Sequence, residues 1–160
     1  MGTKKFSDAG RSGLTDVVKQ LQSDHAERLR WSQGKKICEI SPGNGASTIK
    51  VTFSLYASDD LPGDGHSASL HAYSMGKGAL SGAEDAELYF ECTSPELKGS
   101  AERPARILGH LSYWKAPEDT RATHDANLTV LHSISLAVAK ELKCENNADL
   151  PSEPKLTPKD

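Results

Sequence analysis

The three cysteines, Cys38, Cys92 and Cys144, are the residues whose type and position point most directly to a chemistry. An exported protein with this count would hold one disulfide and one free thiol, whereas a cytosolic one would keep three small buried thiols. Cys92 alternates in phase with Leu88 and Phe90 on one strand face, and Cys144 ends the helix that we expect to cover that face. We therefore predict a Cys92–Cys144 disulfide. Two buried free thiols, or a bridge from Cys38 to either residue, remain the alternatives.

The predicted disulfide would close a loop of 144 − 92 = 52 positions. Closing a loop of that size removes unfolded-state entropy worth roughly 4 kcal/mol in the chain-entropy model. None of the three cysteines has the Cys-x-x-Cys spacing of a redox or zinc site.

Six histidines are spread along the chain without a metal-binding spacing: His25, His66, His71, His110, His124 and His132. The pattern His-Glu-x-x-His is absent, and no two histidines lie four apart on a predicted helix. A metal site that uses His124 and His132, eight positions apart, is an alternative to the surface or helix-edge positions that we expect. A hydrolase would need His66, His71 or His110 to meet a carboxylate in a cleft.

Asp59, Asp60 and Asp64 crowd one loop beside two glycines, and hard cations bind several oxygens on a bent backbone. The spacing does not fit the twelve-residue calcium loop, so a solvated acidic turn is the favoured interpretation. The serine motif Gly-x-Ser-x-Gly and the phosphate loop are absent, and Gly76-x-Gly78 does not fit a dinucleotide-binding loop. We predict no catalytic residue, no cofactor and no metal.

Composition limits the classes of partner. The chain has 160 residues, a formal net charge of −3 and 26% charged residues. An acidic balance argues against a nucleic-acid partner, which usually requires a basic surface. No run of about 18 apolar residues is present, so we predict no transmembrane segment in this chain.

Two helices are predicted, and the second one organises the chain. In the stretch from Asp125 to Cys144, apolar residues recur every three or four positions and form one stripe. These are Leu128, Leu131, Ile134, Val138 and Leu142. A first helix is predicted from Leu14 to Leu29.

The segments between the helices alternate like half-buried strands. Strands are predicted over 36–40, 48–57, 68–73, 86–93 and 105–115, with 68–73 returning as a hairpin beside 48–57 and with 75–83 as a loop. Short connections cannot carry parallel crossovers. We therefore predict an α+β domain in two layers, in which a mostly antiparallel sheet of about five strands packs on an N-terminal and a C-terminal helix.

The ends of the chain are polar and lack periodicity. Residues 1–11 are predicted to be a flexible lead-in, residues 12–145 a single domain, and residues 146–160, which contain three prolines, a disordered tail.

Three segments of the second half carry a resemblance. They are Glu-Leu-Tyr-Phe-Glu-Cys-Thr-Ser-Pro at 87–95, Arg-Pro-Ala-Arg-Ile at 103–107 with Gly109, and 127–144, which begins Asn-Leu-Thr-Val-Leu-His-Ser. This half resembles the C-terminal ectodomain of uncharacterised actinobacterial secreted or membrane-anchored proteins. The resemblance implies an extracytoplasmic setting, supports the pairing of Cys92 with Cys144, and implies no activity. The first residues lack the apolar centre of a signal peptide, so export is expected only if the chain is a piece of a longer precursor.

The sequence predicts an extracellular or cell-surface binding or interaction domain that is not an enzyme. Its partner would be a protein, an envelope component or a small molecule. The alternatives are a small hydrolase that uses histidine and acidic loop residues, or a purely structural spacer domain.

Overall fold

The computed structural model describes residues 8–41, 48–62 and 68–159, with side chains from residue 13 onward. Two helices, α1 (Asp8–Ala26) and α2 (Arg121–Glu141), enclose six strands in the chain order. The strands are β1 (Lys35–Ile40), β2 (Thr48–Leu55), β3 (His71–Tyr73), β4 (Gly78–Ser81), β5 (Asp85–Cys92) and β6 (Ala105–Trp114). They form one antiparallel sheet in the order β1-β2-β6-β5-β4-β3.

The centre of the sheet is the pair β2 and β6, which align over eight residue pairs from Thr48–Trp114 to Leu55–Ile107. Alternation in β2 places Val51, Phe53 and Leu55 on the buried face, as the sequence predicted. The predicted α+β class and antiparallel sheet are confirmed, with six strands rather than five.

Both helices cover the same face of the sheet, so the domain has two layers. α1 lies over β1 and β2, α2 lies over β4, β5 and β6, and the helices touch each other. α2 approaches β6 closely at Gly109, where an added Cβ would lie 2.9 Å from the Phe53 ring and 3.1 Å from Leu131. A side chain at this position would therefore push the helix away from the sheet.

α2 begins one turn before the predicted start at Asp125. The side chain of Thr120 accepts a hydrogen bond from the Thr123 backbone N–H and caps the helix. Asp125 instead lies in the first turns, where its carboxylate pairs with Arg121 at 2.8 Å. Both residue types are good caps, and the sequence alone did not separate them.

The strand predicted over 68–73 was placed beside the wrong neighbour. β3 pairs with β4 at the far edge of the sheet, and β2 lies between β1 and β6. The segment predicted as a loop over 75–83 contains β4, the sixth strand. Its glycines disfavour a strand locally, but pairing to β5 along Gly78–Ser81 overrides that preference.

Residues 145–159 lie against the domain, which differs from the disordered tail that the composition favoured. A left-handed turn at Glu145–Asp149 follows α2, with φ angles of 52 to 58° at residues 146–149. Leu150 is buried, the His132 ring donates a hydrogen bond of 2.7 Å to the Pro151 carbonyl, and the Lys159 N–H bonds the Ala72 carbonyl at 2.8 Å. A few apolar anchors are enough to hold a segment whose average composition is polar.

The first residues of the chain lie partly outside the described part. α1 begins at Asp8, inside the predicted lead-in, and residues 1–7 are not described. Among the described residues, no helix is both long and apolar enough to cross a bilayer.

Candidate functional site

The predicted disulfide is present. Cys92, at the end of β5, is bonded to Cys144, which follows α2, and their Cα atoms lie 5.1 Å apart. Cys92 is fully buried beneath the helix. Beside the disulfide, the Ser94 hydroxyl donates a hydrogen bond to the Leu142 carbonyl. The C-terminal end of α2 is thus tied to the sheet by a covalent bond and a polar contact.

Cys38 is the free cysteine and lies half-buried in β1. Two strands, β2 and β6, separate β1 from β5, so Cys38 is not adjacent to Cys92 in the sheet. Burial raises the pKa of the Cys38 thiol. A thiol with a raised pKa is a poor nucleophile at neutral pH, which argues against a cysteine-based reaction.

A concave site lies where α1 ends. This α1 cleft has a volume of about 840 Å³ and is lined by the last turns of α1, the connection from Leu29 to Lys35, and the turn at 57–60. Pockets for small molecules commonly occupy roughly 300–1,000 Å³. The cleft is therefore large enough for a small organic ligand.

The polar groups of the α1 cleft are held by neighbouring side chains and backbone. Asp60 accepts a hydrogen bond from the Ala57 N–H at 3.0 Å, and Asp59 pairs with Arg30 at 3.5 Å. The Gln20 amide donates to Asp24 at 2.8 Å. At one wall lies Trp31, whose ring is 68% exposed. An exposed indole beside fixed polar groups is typical of binding surfaces.

A smaller cavity adjoins the α1 cleft and shares Leu29, Arg30 and Ala57 with it. It has a volume of about 100 Å³ and is bordered by the end of α1, the end of β2 and the segment that leads into β6. We call it the arginine cavity because four arginines line it: Arg28, Arg30, Arg103 and Arg106.

Two buried residues complete the arginine cavity, and their surroundings shift both pKa values. Burial lowers the pKa of His25, the charge of Arg103 lowers it further, and a hydrogen bond to the Lys98 backbone raises it. Burial raises the pKa of Tyr56, Glu91 raises it further, and Arg106 lowers it. The imidazole is therefore biased towards its neutral form, and the phenol stays protonated at any physiological pH.

The remaining histidines lie elsewhere, and His66 is outside the described residues. His110 pairs with Asp85 at 2.9 Å on the face of the sheet opposite the helices. His71 stacks on His124 with ring centroids 4.8 Å apart. His124 in turn pairs with Asp119 at 2.6 Å. Among the described residues, no group of three or more metal-binding side chains is arranged to hold an ion.

The hydrolase alternative finds a histidine and a carboxylate in contact, outside both cavities described above. Neither His110 nor Asp85 lines the α1 cleft or the arginine cavity. In the described part of the acidic loop, Asp59 pairs with Arg30 and Asp60 accepts from the Ala57 N–H, so neither pairs with a histidine there. Asp64 is outside the described residues.

Comparison of the chain with known protein families, with curated proteins and with solved structures found no match.

The arginine cavity was missed from the sequence, although a signal was present. Of the six arginines of the chain, four fall in the two short segments 28–30 and 103–106. About 75 positions separate these segments, and only the placement of α1 beside the start of β6 brings them together. The sequence therefore shows two arginine-rich segments in an acidic protein, but it does not show that they meet at one site.

Proposed function

We propose that this protein is an extracytoplasmic binding domain, without catalytic activity of its own, whose small-molecule ligand lies in the α1 cleft. The observation that carries the proposal is the cleft itself, about 840 Å³ in volume and bordered by the exposed Trp31 ring. Its size and mixed polar and aromatic lining are typical of a ligand site.

The disulfide supports the extracytoplasmic setting. Disulfides form and persist in oxidising compartments and are rare in reducing ones. The Cys92–Cys144 bridge fits a protein of the secreted or surface-anchored kind that the second half of the chain resembles.

Trp31 provides the reporter for a binding experiment. The chain contains two tryptophans, and Trp114 is 72% exposed at the end of β6. A Trp114→Phe variant therefore leaves Trp31 as the only indole. We would titrate this variant with a panel of neutral sugars, amino acids, dicarboxylates and sugar phosphates at up to roughly millimolar concentration and record its fluorescence.

Saturable quenching or enhancement by one compound is the expected result. As a second readout, calorimetry of that compound with the otherwise unchanged chain should show binding that Trp31→Ala weakens about tenfold, because the loss of a large aromatic contact typically costs 1–3 kcal/mol. A response to no member of the panel, or affinity that is unchanged in Trp31→Ala, would count against a ligand site in the cleft.

One contact favours the hydrolase alternative. The Asp85 carboxylate bonds the His110 ring, an arrangement that could orient an imidazole for proton transfer. Among the described residues, however, no hydroxyl or thiol bonds that ring. Turnover of a generic ester that disappears in Asp85→Asn would favour the alternative over the binding domain.

A further inference from the structure

We propose that the arginine cavity binds a phosphate or sulfate group, and that this group belongs to the ligand of the adjoining cleft. The inference rests on the proposed function and specifies the chemical class of its ligand. It is carried by the charge of the cavity, by two buried polar atoms without partners, and by the volume of the cavity.

The charge of the cavity is unusual for this chain. The whole protein has a formal net charge of −3, yet the cavity lining contains four arginines and no acidic residue. Two of the arginines have carboxylate partners, Arg30 with Asp59 at 3.5 Å and Arg106 with Glu91 at 3.6 Å. Among the described residues, Arg28 and Arg103 have no ion-pair partner. About two positive charges thus remain uncompensated at the cavity, which matches a dianion.

Two buried groups at the cavity lack hydrogen-bond partners in the protein. They are Nε2 of His25 and the hydroxyl of Tyr56, in residues that are only 4% and 3% exposed. A buried polar atom without a partner is costly, and native proteins rarely keep one without a reason. Both residues line the same cavity, so one oxyanion there would accept from the Tyr56 hydroxyl and, when the His25 ring is protonated, from its Nε2 as well.

The volume of the cavity selects a small group. At about 100 Å³ it falls well below the roughly 300 Å³ at which pockets for whole organic ligands begin. It has room for about three water molecules at their liquid volume of about 30 Å³ each. A tetrahedral oxyanion is on this scale, and its three or four oxygens can accept from several guanidinium groups at once. A carboxylate, with two oxygens and one charge, would use fewer of these donors.

A simpler interpretation is that the arginines only stabilise the C-terminal end of α1, where positive charge suits the helix dipole. Arg103 does donate to the His25 carbonyl at 3.1 Å. The last carbonyls are, however, already bonded by backbone: the Arg28 N–H bonds the His25 carbonyl and the Leu29 N–H bonds the Asp24 carbonyl. A cap with these two bonds does not require four arginines, nor does it explain the two unpartnered atoms.

Arg28 occupies a position where glycine would be the stable choice. Its φ angle is 60°, in the left-handed region, two residues after α1 ends, at the position that glycine usually takes. Arg28→Gly should therefore raise the stability of the protein while it weakens anion binding. Lys115→Gly is the matched control, because Lys115 is also an exposed cation with a φ angle of 59° but does not line the cavity.

Tyr56→Phe provides a second, independent test. It removes a hydroxyl that has no partner in the protein, so stability should be unchanged or higher while the affinity for the anion falls. Tyr113→Phe is its control, because the Tyr113 hydroxyl donates to Asn127 at 2.8 Å away from the cavity. That variant should lose stability and keep its affinity for the anion.

The probes are sulfate, inorganic phosphate, acetate and glucose 6-phosphate, titrated calorimetrically into the full chain at fixed ionic strength. We expect saturable binding of sulfate and phosphate that weakens about tenfold in Arg28→Gly and in Tyr56→Phe and is unchanged in both controls. Acetate should bind at least tenfold more weakly than sulfate. Glucose 6-phosphate should bind more tightly than phosphate, and Trp31→Ala should remove that difference.

Several results would overturn the inference. They are no saturable sulfate binding, an equal loss in Lys115→Gly, or acetate binding as tight as that of sulfate. Equal affinity for phosphate and glucose 6-phosphate would overturn the link between the cavity and the cleft. Failure of this inference can be told apart from failure of the proposed function. If the protein binds a neutral ligand in the cleft but no sulfate, only the oxyanion site is refuted. If it binds sulfate but no larger compound, only the ligand site in the cleft is refuted.

Discussion

The Arg103 guanidinium donates a hydrogen bond of 3.1 Å to the His25 backbone carbonyl, across 78 positions of sequence. This contact joins the segment before β6 to the end of α1 and sets a positive charge beside the His25 ring. Burial and this charge, in that order, lower the pKa of His25.

The lowered pKa predicts how stability depends on pH. Between the folded pKa and the unfolded value of about 6.5, the unfolded chain binds more protons at His25 than the folded protein does. The contribution of His25 to the free energy of unfolding is therefore complete above about pH 6.5 and is lost as the pH falls towards the folded pKa. The positive charge of Arg103 acts in the same direction as burial, because it also disfavours the imidazolium form.

Urea denaturation at a series of pH values checks this dependence. The free energy of unfolding should decline as the pH falls below about 6.5, by up to about 1.4 kcal/mol per pH unit for this one group, until the folded pKa is passed. His25→Gln should show a smaller decline, because glutamine does not titrate. Identical slopes in the two proteins would show that His25 is not the group responsible.

The disulfide is predicted to supply a large part of the stability. Replacement of both Cys92 and Cys144 with alanine should lower the free energy of unfolding by about 4 kcal/mol, since the bridge closes a loop of 52 positions. Cys38→Ala is the control and should change it little, because that thiol is free. Before any substitution, the denatured, unreduced chain should titrate as one thiol; three thiols would contradict the bridge.

The close contact at Gly109 predicts a packing defect. An added methyl group would lie 2.9 Å from Phe53 and 3.1 Å from both Leu131 and the Ser135 hydroxyl, so Gly109→Ala should cost about 1–3 kcal/mol. Ser135→Ala alone should be neutral or stabilising, because its buried hydroxyl has no partner in the protein. The double variant should recover part of the loss. Strict additivity of the two changes would show that they do not share this space.

The C-terminal segment can be tested by hydrogen exchange. The Lys159 N–H donates a hydrogen bond of 2.8 Å to the Ala72 carbonyl, and Tyr73 forms an isolated antiparallel β-bridge with Pro158. The Lys159 amide should therefore exchange more slowly than an unstructured peptide, and Leu150→Ala should speed its exchange by loosening a buried anchor. Exchange of the Lys159 amide at the rate of an unstructured peptide would support the disordered tail that the composition predicted for residues 146–160.

The sequence predicted the parts of the fold in which local pattern and tertiary structure agree. Alternation in 48–55 and the stripe from Leu128 to Leu142 identified the buried faces, and Cys92 on one of those faces led to the disulfide. β4 was missed because Gly78 within it and Gly76 and Gly82 beside it oppose a strand locally, and pairing to β5 compensates only in three dimensions. β3 was misplaced because loop length does not determine which strand a hairpin joins.

The arginine cavity could not be predicted from local sequence patterns, for a different reason. Arg28 and Arg103 come from segments with no shared motif, and Tyr56 follows the end of β2. Their meeting depends on how α1 lies on β1 and β2. Long-range packing of this kind leaves no periodic trace in the sequence.

The most direct test of the proposed binding function is an amide chemical-shift map of the isotopically labelled protein titrated with glucose 6-phosphate. Saturable shifts should concentrate at His25, Arg28, Trp31, Tyr56 and Arg103, the residues that line the α1 cleft and the arginine cavity. Saturable shifts centred on Asp85 and His110, or no saturable shifts at any position, would contradict a site for a phosphorylated ligand at the end of α1.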